Sequence, residues 1–418
     1  MRNLCVKFLH KFTIFYTFVL CVRFICLPLI AISFIHRAIL KPFNGKYLIK
    51  DINFFSIITT GGTGGHIFPA IRFSSHAAIN GQRICIVTNK NILPLLKNLG
   101  YLHKNHFFYT EEPCESPNGM VVRCLNIHPL KKNIKSIVSF TLAVMRAFWM
   151  MCTHGALVNN IIGFGGYVSF PTLFWGVIFC KKIYIHEQNI VFGKVNQLFI
   201  PFAKKIFTCL PIECSDVLQQ KTYHTGMPLR RSVEQQGFIR KHIVGGEIVI
   251  LIMSGSSGGG ESASAITPAV IHFAKKLDGN IKVYHQASGE HAKKIQKQYE
   301  RHHIKYEIKA FFDDVYSLLP TVDLCISRSG ASSIVDLLSY GVVTIFIPLR
   351  NSADNHQIKN ASWVVQNNLG FMHKPWESSF YSLVALMGMA IYSNNKFPKN
   401  AQKAIKRNAR LSMFHHIF

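Results

Sequence analysis

His66 stands at the end of the glycines in GGTGGHIFPA, Gly61 to Ala70, and is a residue suited to acid–base work. An imidazole titrates near neutral pH and can take a proton from an attacking hydroxyl. A histidine at such a turn can equally do no more than cap the loop, and the sequence leaves both roles open. The glycines allow a sharp backbone turn and close approach to a ligand, while the helix that follows offers free N–H groups and a partial positive charge at its amino end. The turn matches neither G-x-G-x-x-G nor a Walker A sequence, since no Lys-Ser/Thr follows it. Two further polar loops lie in the same half, GFGGYVS (Gly163 to Ser169) and HEQN (His186 to Asn189).

The second half has its own glycine loop, Gly255–Gly260, suited to holding a diphosphate through backbone N–H groups. Further on, SRSGASSIVDLLSYG (Ser327 to Gly341) puts Asp336 on the first turns of a helix. A carboxylate there can accept hydrogen bonds from vicinal ribose hydroxyls, or merely complement the helix dipole. Asp354, His356 and Gln357 follow shortly after and are placed to reach a sugar hydroxyl.

Each of these loops needs a strand to carry it. Apolar runs at Phe54–Thr60, Ile84–Thr88 and Ile183–Ile185 read as buried strands, with Val158–Ile162 weakened by Asn159 and Asn160. A helix is expected from near Pro69. A second series begins at Glu247–Met253 and continues through Ile281–Tyr284, Asp323–Ile326 and Thr344–Ile347. Two strand series, each opening into a glycine turn, predict an α/β protein of two Rossmann-like domains facing each other across a cleft. The expected division is 1–50 as a hydrophobic basic extension, 51–225 as the first domain and 226–418 as the second, whose last helix packs back on the first. The boundary falls in the glycine- and proline-bearing stretch between Tyr223 and Gly246.

Composition narrows the partners. Lys and Arg number 47 against 20 Asp and Glu, a formal charge of +27, which suits an anionic partner. No helix-turn-helix, RNP or zinc-finger pattern is present, so nucleic acid is set aside in favour of phosphate-bearing substrates or an anionic membrane surface. The 11 cysteines form no C-x-x-C pair and no zinc spacing, and they fit a reducing compartment. From Phe12 to Ile35 the chain is almost wholly apolar. That stretch reads as a membrane or interfacial helix, as an upstream lead with no stable structure, or as a cleaved signal. Phe140–Met151 is a second apolar stretch, preceded by Lys131, Lys132 and Lys135, and it suits a lipid-facing patch or a core helix equally.

GGTGGHIFPA, GFGGYVS, HEQN, the serine–glycine loop, SRSGAS…G and the D-x-HQ-x-x-NA run from Asp354 to Ala361 together resemble MurG-type enzymes. These are peripheral membrane N-acetylglucosaminyltransferases that convert lipid I into lipid II. The likeness runs from about Ser56 to near the carboxyl end. It implies a GT-B fold, an inverting displacement by the 4-hydroxyl of N-acetylmuramic acid, and no metal or cofactor. It further implies UDP-N-acetylglucosamine and the undecaprenyl-diphosphate-linked acceptor as substrates, the cytoplasmic face of the cell membrane as location, and cell-wall and division proteins as partners. Carried onto this chain, the catalytic residues are His66 as base, with Glu187. Thr63, Gly64 and Gly65 approach phosphates. Tyr167 belongs to the substrate site, Asn189 and Arg230 contact the donor, and Ser256 binds phosphate. Phe312 gives a backbone contact to uracil, Ala331, Ser332, Ser333, Ile334, Val335 and Asp336 hold nucleotide and ribose, and Gln357 meets the N-acetylglucosamine hydroxyls. Three positions depart from the pattern: Asp336 stands for the usual Glu, Met227 for an Asn and Ser257 for a Gln. A different UDP-sugar transferase of GT-B fold, or an inactive membrane-bound scaffold of wall synthesis, are the alternatives.

Overall fold

The computed structural model describes residues 13–26, 28, 31, 55–61, 64–92, 107–108, 120–125, 127, 133–229, 246–253, 260–312, 315–392 and 396–418. Two sheets form the frame. The first contains β1 (Ser56–Thr59), β2 (Ile84–Thr88), β3 (Phe107–Phe108), β4 (Met120–Cys124), β5 (Asn160–Gly163), β6 (Lys182–Glu187), β7 (Ala203–Thr208) and β8 (Thr222–His224), ordered β3-β4-β2-β1-β5-β6-β7-β8. All neighbours pair in parallel except β3 with β4. The second contains β9 (Ile248–Met253), β10 (Ile281–Gln286), β11 (Lys305–Lys309), β12 (Leu324–Ser327), β13 (Val343–Phe346) and β14 (Phe371–Met372), ordered β11-β10-β9-β12-β13-β14 and parallel throughout. Strands covered on both faces read as unbroken apolar runs, and β1, β2, β12 and β13 are buried along their whole length.

Asn160, which weakens the sequence signal for β5, is buried in that strand. Its side-chain amide donates to Ser56 Oγ on β1 at 3.3 Å, so a polar group inside the sheet keeps a partner. Helix α2 runs over Gly64–Ile79 and starts five residues ahead of Pro69, not at it. The free N–H groups of its first turn therefore lie in the glycine turn itself.

The first sheet is flanked by α2 on one side and by a layer of apolar helices on the other. Ile58, Ile67, Ile71, Phe73 and Phe164 form the core beneath α2. Across the sheet, α3 (Ile134–His154) and α4 (Phe170–Ile178) pack with Ile57, Val87 and Ile161. A further helix, α1 (Thr13–Cys26), lies on the same layer with Val19 and Cys26 buried. The Phe15 ring of α1 and the Phe140 ring of α3 both meet Phe170 of α4, at 6.5 and 5.6 Å. Of the remainder of the apolar lead, only residues 28 and 31 are described.

Past the second sheet, α12 (Ala409–Ile417) returns to the first. Met413 and Ile417 join the core under α2, and His416 packs on Tyr223 at 4.3 Å between ring centres. Met227, where the resemblance expects an Asn, is fully buried beside Cys209, Leu210 and Leu229 in the second domain's core. At this position an apolar side chain fills core volume, which explains how the chain tolerates losing the amide.

Candidate active site

Strand ends of the two sheets face one cleft. The amino end of α2 meets that of α8 (Ala331–Ser339), and a Cβ built on Gly65 would lie 3.7 Å from Ser332 Oγ. Two helix starts, each with unpaired N–H groups and a positive dipole end, thus point at the same space.

His66 sits on the first turn of α2, half-buried against backbone. Gly61, Gly165 and Gly166 crowd its ring. A Cβ on Gly61 would fall 3.2 Å from His66 Cδ2, and one on Gly165 3.4 Å from Cε1. Gly165 and Gly166 have φ of +82° and +81°, a conformation other residues avoid, and a Cβ on Gly166 would strike Gly61 Cα at 2.8 Å. The GFGG loop is therefore built to hold the imidazole of a distant turn. Tyr167 follows it, its phenol pushed up by burial and partly relieved by a hydrogen bond with Asn89.

The HEQN loop lies under His66. Gln188 Oε1 is 2.9 Å from His66 Nδ1, while Gln188 Nε2 is 2.9 Å from the Phe164 carbonyl and 3.1 Å from His186 Nδ1. His186 is fully buried and its Nε2 is 3.2 Å from the Gly226 carbonyl. Burial, with a smaller contribution from nearby His66 opposed by the bond to Gly226, holds its pKa down at about 4. Glu187, expected as a catalytic group, has a different surrounding. It is 1% exposed, and its carboxylate accepts from Asn189 N (3.0 Å), Asn189 Nδ2 (3.2 Å), Gly193 N (2.9 Å) and Asn196 Nδ2 (2.7 Å). Four donors saturate it, so Glu187 orders the loop that presents Asn189 and has no oxygen left to move a proton.

Asn189 reaches the other domain. Its Oδ1 accepts from Asn360 Nδ2 at 3.1 Å, and Asn360 Oδ1 accepts from Ile190 N at 3.0 Å. Asn360 is fully buried on α9 (His356–Gln366) and also donates to the Ser329 carbonyl at 3.1 Å. Gln357, one turn earlier, accepts from Leu349 N through Oε1 at 2.9 Å.

On α8, Ile334 and Val335 are core side chains, so only their backbone is open to a ligand. Ser332, Ser333 and Asp336 are half-buried on the cleft side. Asp336 Oδ2 accepts from the Tyr316 hydroxyl at 3.0 Å, and its Oδ1 lies 3.6 Å from Arg72 Nη1 of α2. Arg72 also donates to Tyr316 Oη at 2.8 Å and to the Pro228 carbonyl at 3.4 Å. Phe312 is buried edge-on to Tyr284. Thr63, Arg230 and Ser256, together with the departure at Ser257, lie outside the described residues.

The structure thus brings together His66, Gly64, Gly65, Asn189, Ser332, Asp336 and Gln357 around one cleft. Sequence reasoning gave no role to Gln188, Arg72, Tyr316 and Asn360. Arg72 carried a signal, a lone cation within the apolar stretch Ile67–Phe73. Gln188 and Asn360 lay within recognised motifs, and only contacts between distant segments give them roles.

Comparison with known proteins agrees with this geometry. Residues 56–208 match the glycosyltransferase family 28 N-terminal domain, and residues 249–415 match the family's C-terminal domain. A Wolbachia pipientis UDP-N-acetylglucosamine--N-acetylmuramyl-(pentapeptide) pyrophosphoryl-undecaprenol N-acetylglucosamine transferase is 30% identical over 323 residues, 76% of this chain and 84% of that protein. The Francisella philomiragia protein of the same name is 29% identical over 372 residues, 85% of this chain and 93% of the relative. Among solved structures, Acinetobacter baumannii MurG covers 99% of its own length and 87% of this chain, with a TM-score of 0.66 at 19% identity. Two sheets in Rossmann order, two matched domains in sequence and full-length relatives of one name place this chain in glycosyltransferase family 28, as a member of its MurG group with the GT-B fold.

Proposed function

We propose that this protein moves N-acetylglucosamine from UDP to the 4-hydroxyl of N-acetylmuramic acid in undecaprenyl-diphosphate-linked pentapeptide, converting lipid I into lipid II. The observation that carries this reading is His66, placed by α2 in a cleft where the amino ends of α2 and α8 converge. The acceptor oxygen bonds to the anomeric carbon as the bond from that carbon to the UDP oxygen breaks, and the bonding pair leaves with UDP. His66 takes the hydroxyl proton, and the anomeric centre inverts. Negative charge growing on the diphosphate is met by backbone N–H groups and helix dipoles. Asp336 receives the ribose hydroxyls on its carboxylate, beside Tyr316 and Arg72. Asn189 and Gln357 address the sugar, and Phe312 lies toward the base.

A water-soluble enzyme cannot reach a polyprenyl-linked acceptor unless it works at the bilayer surface. On α3 the exposed side chains Ile134, Val138, Leu142, Met145 and Trp149 form one stripe at helical spacing, and Ile14, Phe18 and Ile25 are exposed on neighbouring α1. Lys135 and Arg146 are exposed beside them. We read this face as the part that enters an anionic membrane from the cytoplasmic side, with α1 adding to it as an interfacial helix.

Purified protein, labelled UDP-N-acetylglucosamine and a lipid I analogue test the reaction, with diacylglycerol as the competing acceptor. Label should pass to the lipid I analogue alone. Transfer only to diacylglycerol, or no transfer with intact donor binding, overturns the proposal.

A further inference from the structure

His66, Gln188 and His186 form an unbroken polar chain whose far end is the peptide that crosses from the first domain to the second. Gly226 follows β8, and it is wedged in place: its φ is +86°, and a Cβ there would strike the Lys406 carbonyl. Its own carbonyl lies 3.2 Å from His186 Nε2. The direction of every proton along the chain follows from groups that can only accept.

A backbone carbonyl has no proton to give, so His186 must donate to Gly226 from Nε2. A neutral imidazole then carries a bare lone pair on Nδ1. One end of the Gln188 amide lies 3.1 Å from that lone pair and 2.9 Å from the Phe164 carbonyl. Two acceptors at one end require the NH2 group there, whose two protons match them, and a flipped amide would set its oxygen against the Phe164 carbonyl oxygen and the bare lone pair of His186 Nδ1. The other end is therefore the oxygen, which only accepts. It lies 2.9 Å from His66 Nδ1, so that nitrogen must hold the proton. The fully buried state of His186, with its pKa held at about 4 by burial, keeps it neutral at working pH and fixes the first link.

We infer that Gln188 is a positioning residue that locks His66 in the Nδ1–H tautomer, leaving Nε2 as the only basic nitrogen of the ring. This rests on the reading of His66 as the base and adds which atom takes the proton and what decides it. An unconstrained imidazole in water favours the opposite tautomer, so without Gln188 the lone pair would sit mostly on the nitrogen turned into the protein. Among the described residues no side chain or carbonyl takes His66 Nε2, which leaves that atom for the acceptor hydroxyl. Packing alone could bring these groups together, but it would not require each donor to meet an acceptor in one consistent sense.

The test uses full-length protein with selectively 15N-labelled histidine, and the His66→Ala protein identifies the His66 signals. In the parent above the imidazole's titration, Nδ1 should be protonated and Nε2 bare. Gln188→Met, which keeps length and volume but removes the amide, should shift His66 toward Nε2–H. It should lower kcat by about 10-fold or more while KM for UDP-N-acetylglucosamine stays within about twofold. A parent spectrum with Nε2 protonated overturns the inference without any variant. A Gln188→Met protein with the parent's tautomer, or with a changed tautomer and unchanged kcat, overturns it too. Near-normal turnover in His66→Ala would instead remove the base reading, whatever the tautomer.

Discussion

The two sheets share a strand plan and divide the work. In the first, β4-β2-β1-β5-β6-β7 repeats the order that β11-β10-β9-β12-β13-β14 follows in the second, and both aim their carboxyl ends at the cleft. On the first wall the residues are fixed tightly: glycine backbones grip His66, and every partner of Glu187 and Gln188 belongs to the same domain. On the second wall two groups held by their own domain are also met from the first. Asp336 is met by Arg72 of the first domain, and Asn360 by Asn189 and Ile190. The contrast suits the proposed transfer: the residue read as proton acceptor is held within one domain, while those read as nucleotide-binding are tied across the cleft. Asp336, a methylene shorter than the expected Glu, is steadied by Tyr316 and Arg72 at the place where reach was lost.

The largest expected effect is on the first wall. His66→Ala should reduce turnover by roughly 100-fold or more, with donor binding little changed. Single-turnover kinetics with the lipid I analogue reads both. A comparable loss of UDP binding would mean the walls are not divided as described.

On the second wall the loss should appear in binding. Asp336→Ala should weaken UDP by roughly 1–3 kcal/mol, because the ribose loses a charged acceptor. Asp336→Glu should keep or improve affinity. Titration calorimetry decides, and two variants equal to the parent would leave Asp336 as an interdomain tie to Arg72 alone.

The outer faces can be compared in the same way. Trp149→Glu on α3 should cut sedimentation with anionic vesicles several-fold, and salt should weaken what remains. Tyr392→Glu, at an equally exposed site (74% against 69%) at the end of the second domain's helix α10 (Phe380–Tyr392), should leave binding as it was. Equal losses from the two would spread the membrane face over both domains.

The smallest effect concerns acid. Buried His186 in the first sheet and buried His285 in the second both have pKa values pushed by burial from 6.5 to about 4. The unfolded chain takes up these protons as pH drops below about 6.5, and the folded chain declines them until about 4. Stability is therefore fully present above 6.5 and falls as pH is lowered toward 4. Melting temperature measured between pH 7.5 and about 5 should decline. A flat profile would mean that neither histidine stays neutral in the fold.

By itself, the sequence determined the frame. Apolar runs without interruption demand strands covered on both faces, and glycine turns at their ends demand helix starts that can meet phosphate, so the parallel α/β class was legible from runs such as Phe54–Thr60 and Glu247–Met253, while β4, β7, β8, β11, β14 and the strand order were not. The motifs also carried the family, and His66 with it. What the local pattern could not show were roles that depend on a partner far along the chain. Glu187 looks like an acid–base group until Gly193 and Asn196 turn toward it. Arg72 looks like a misplaced cation until Asp336, Tyr316 and Pro228 arrive from the other domain. Gln188 is an ordinary amide until two carbonyls and a buried imidazole dictate which way it points. Hydrogen-bond direction is set by every group at a junction together, and at this junction Gly61, Phe164, His186 and Gly226 come from four separate segments that only the folded chain brings within reach.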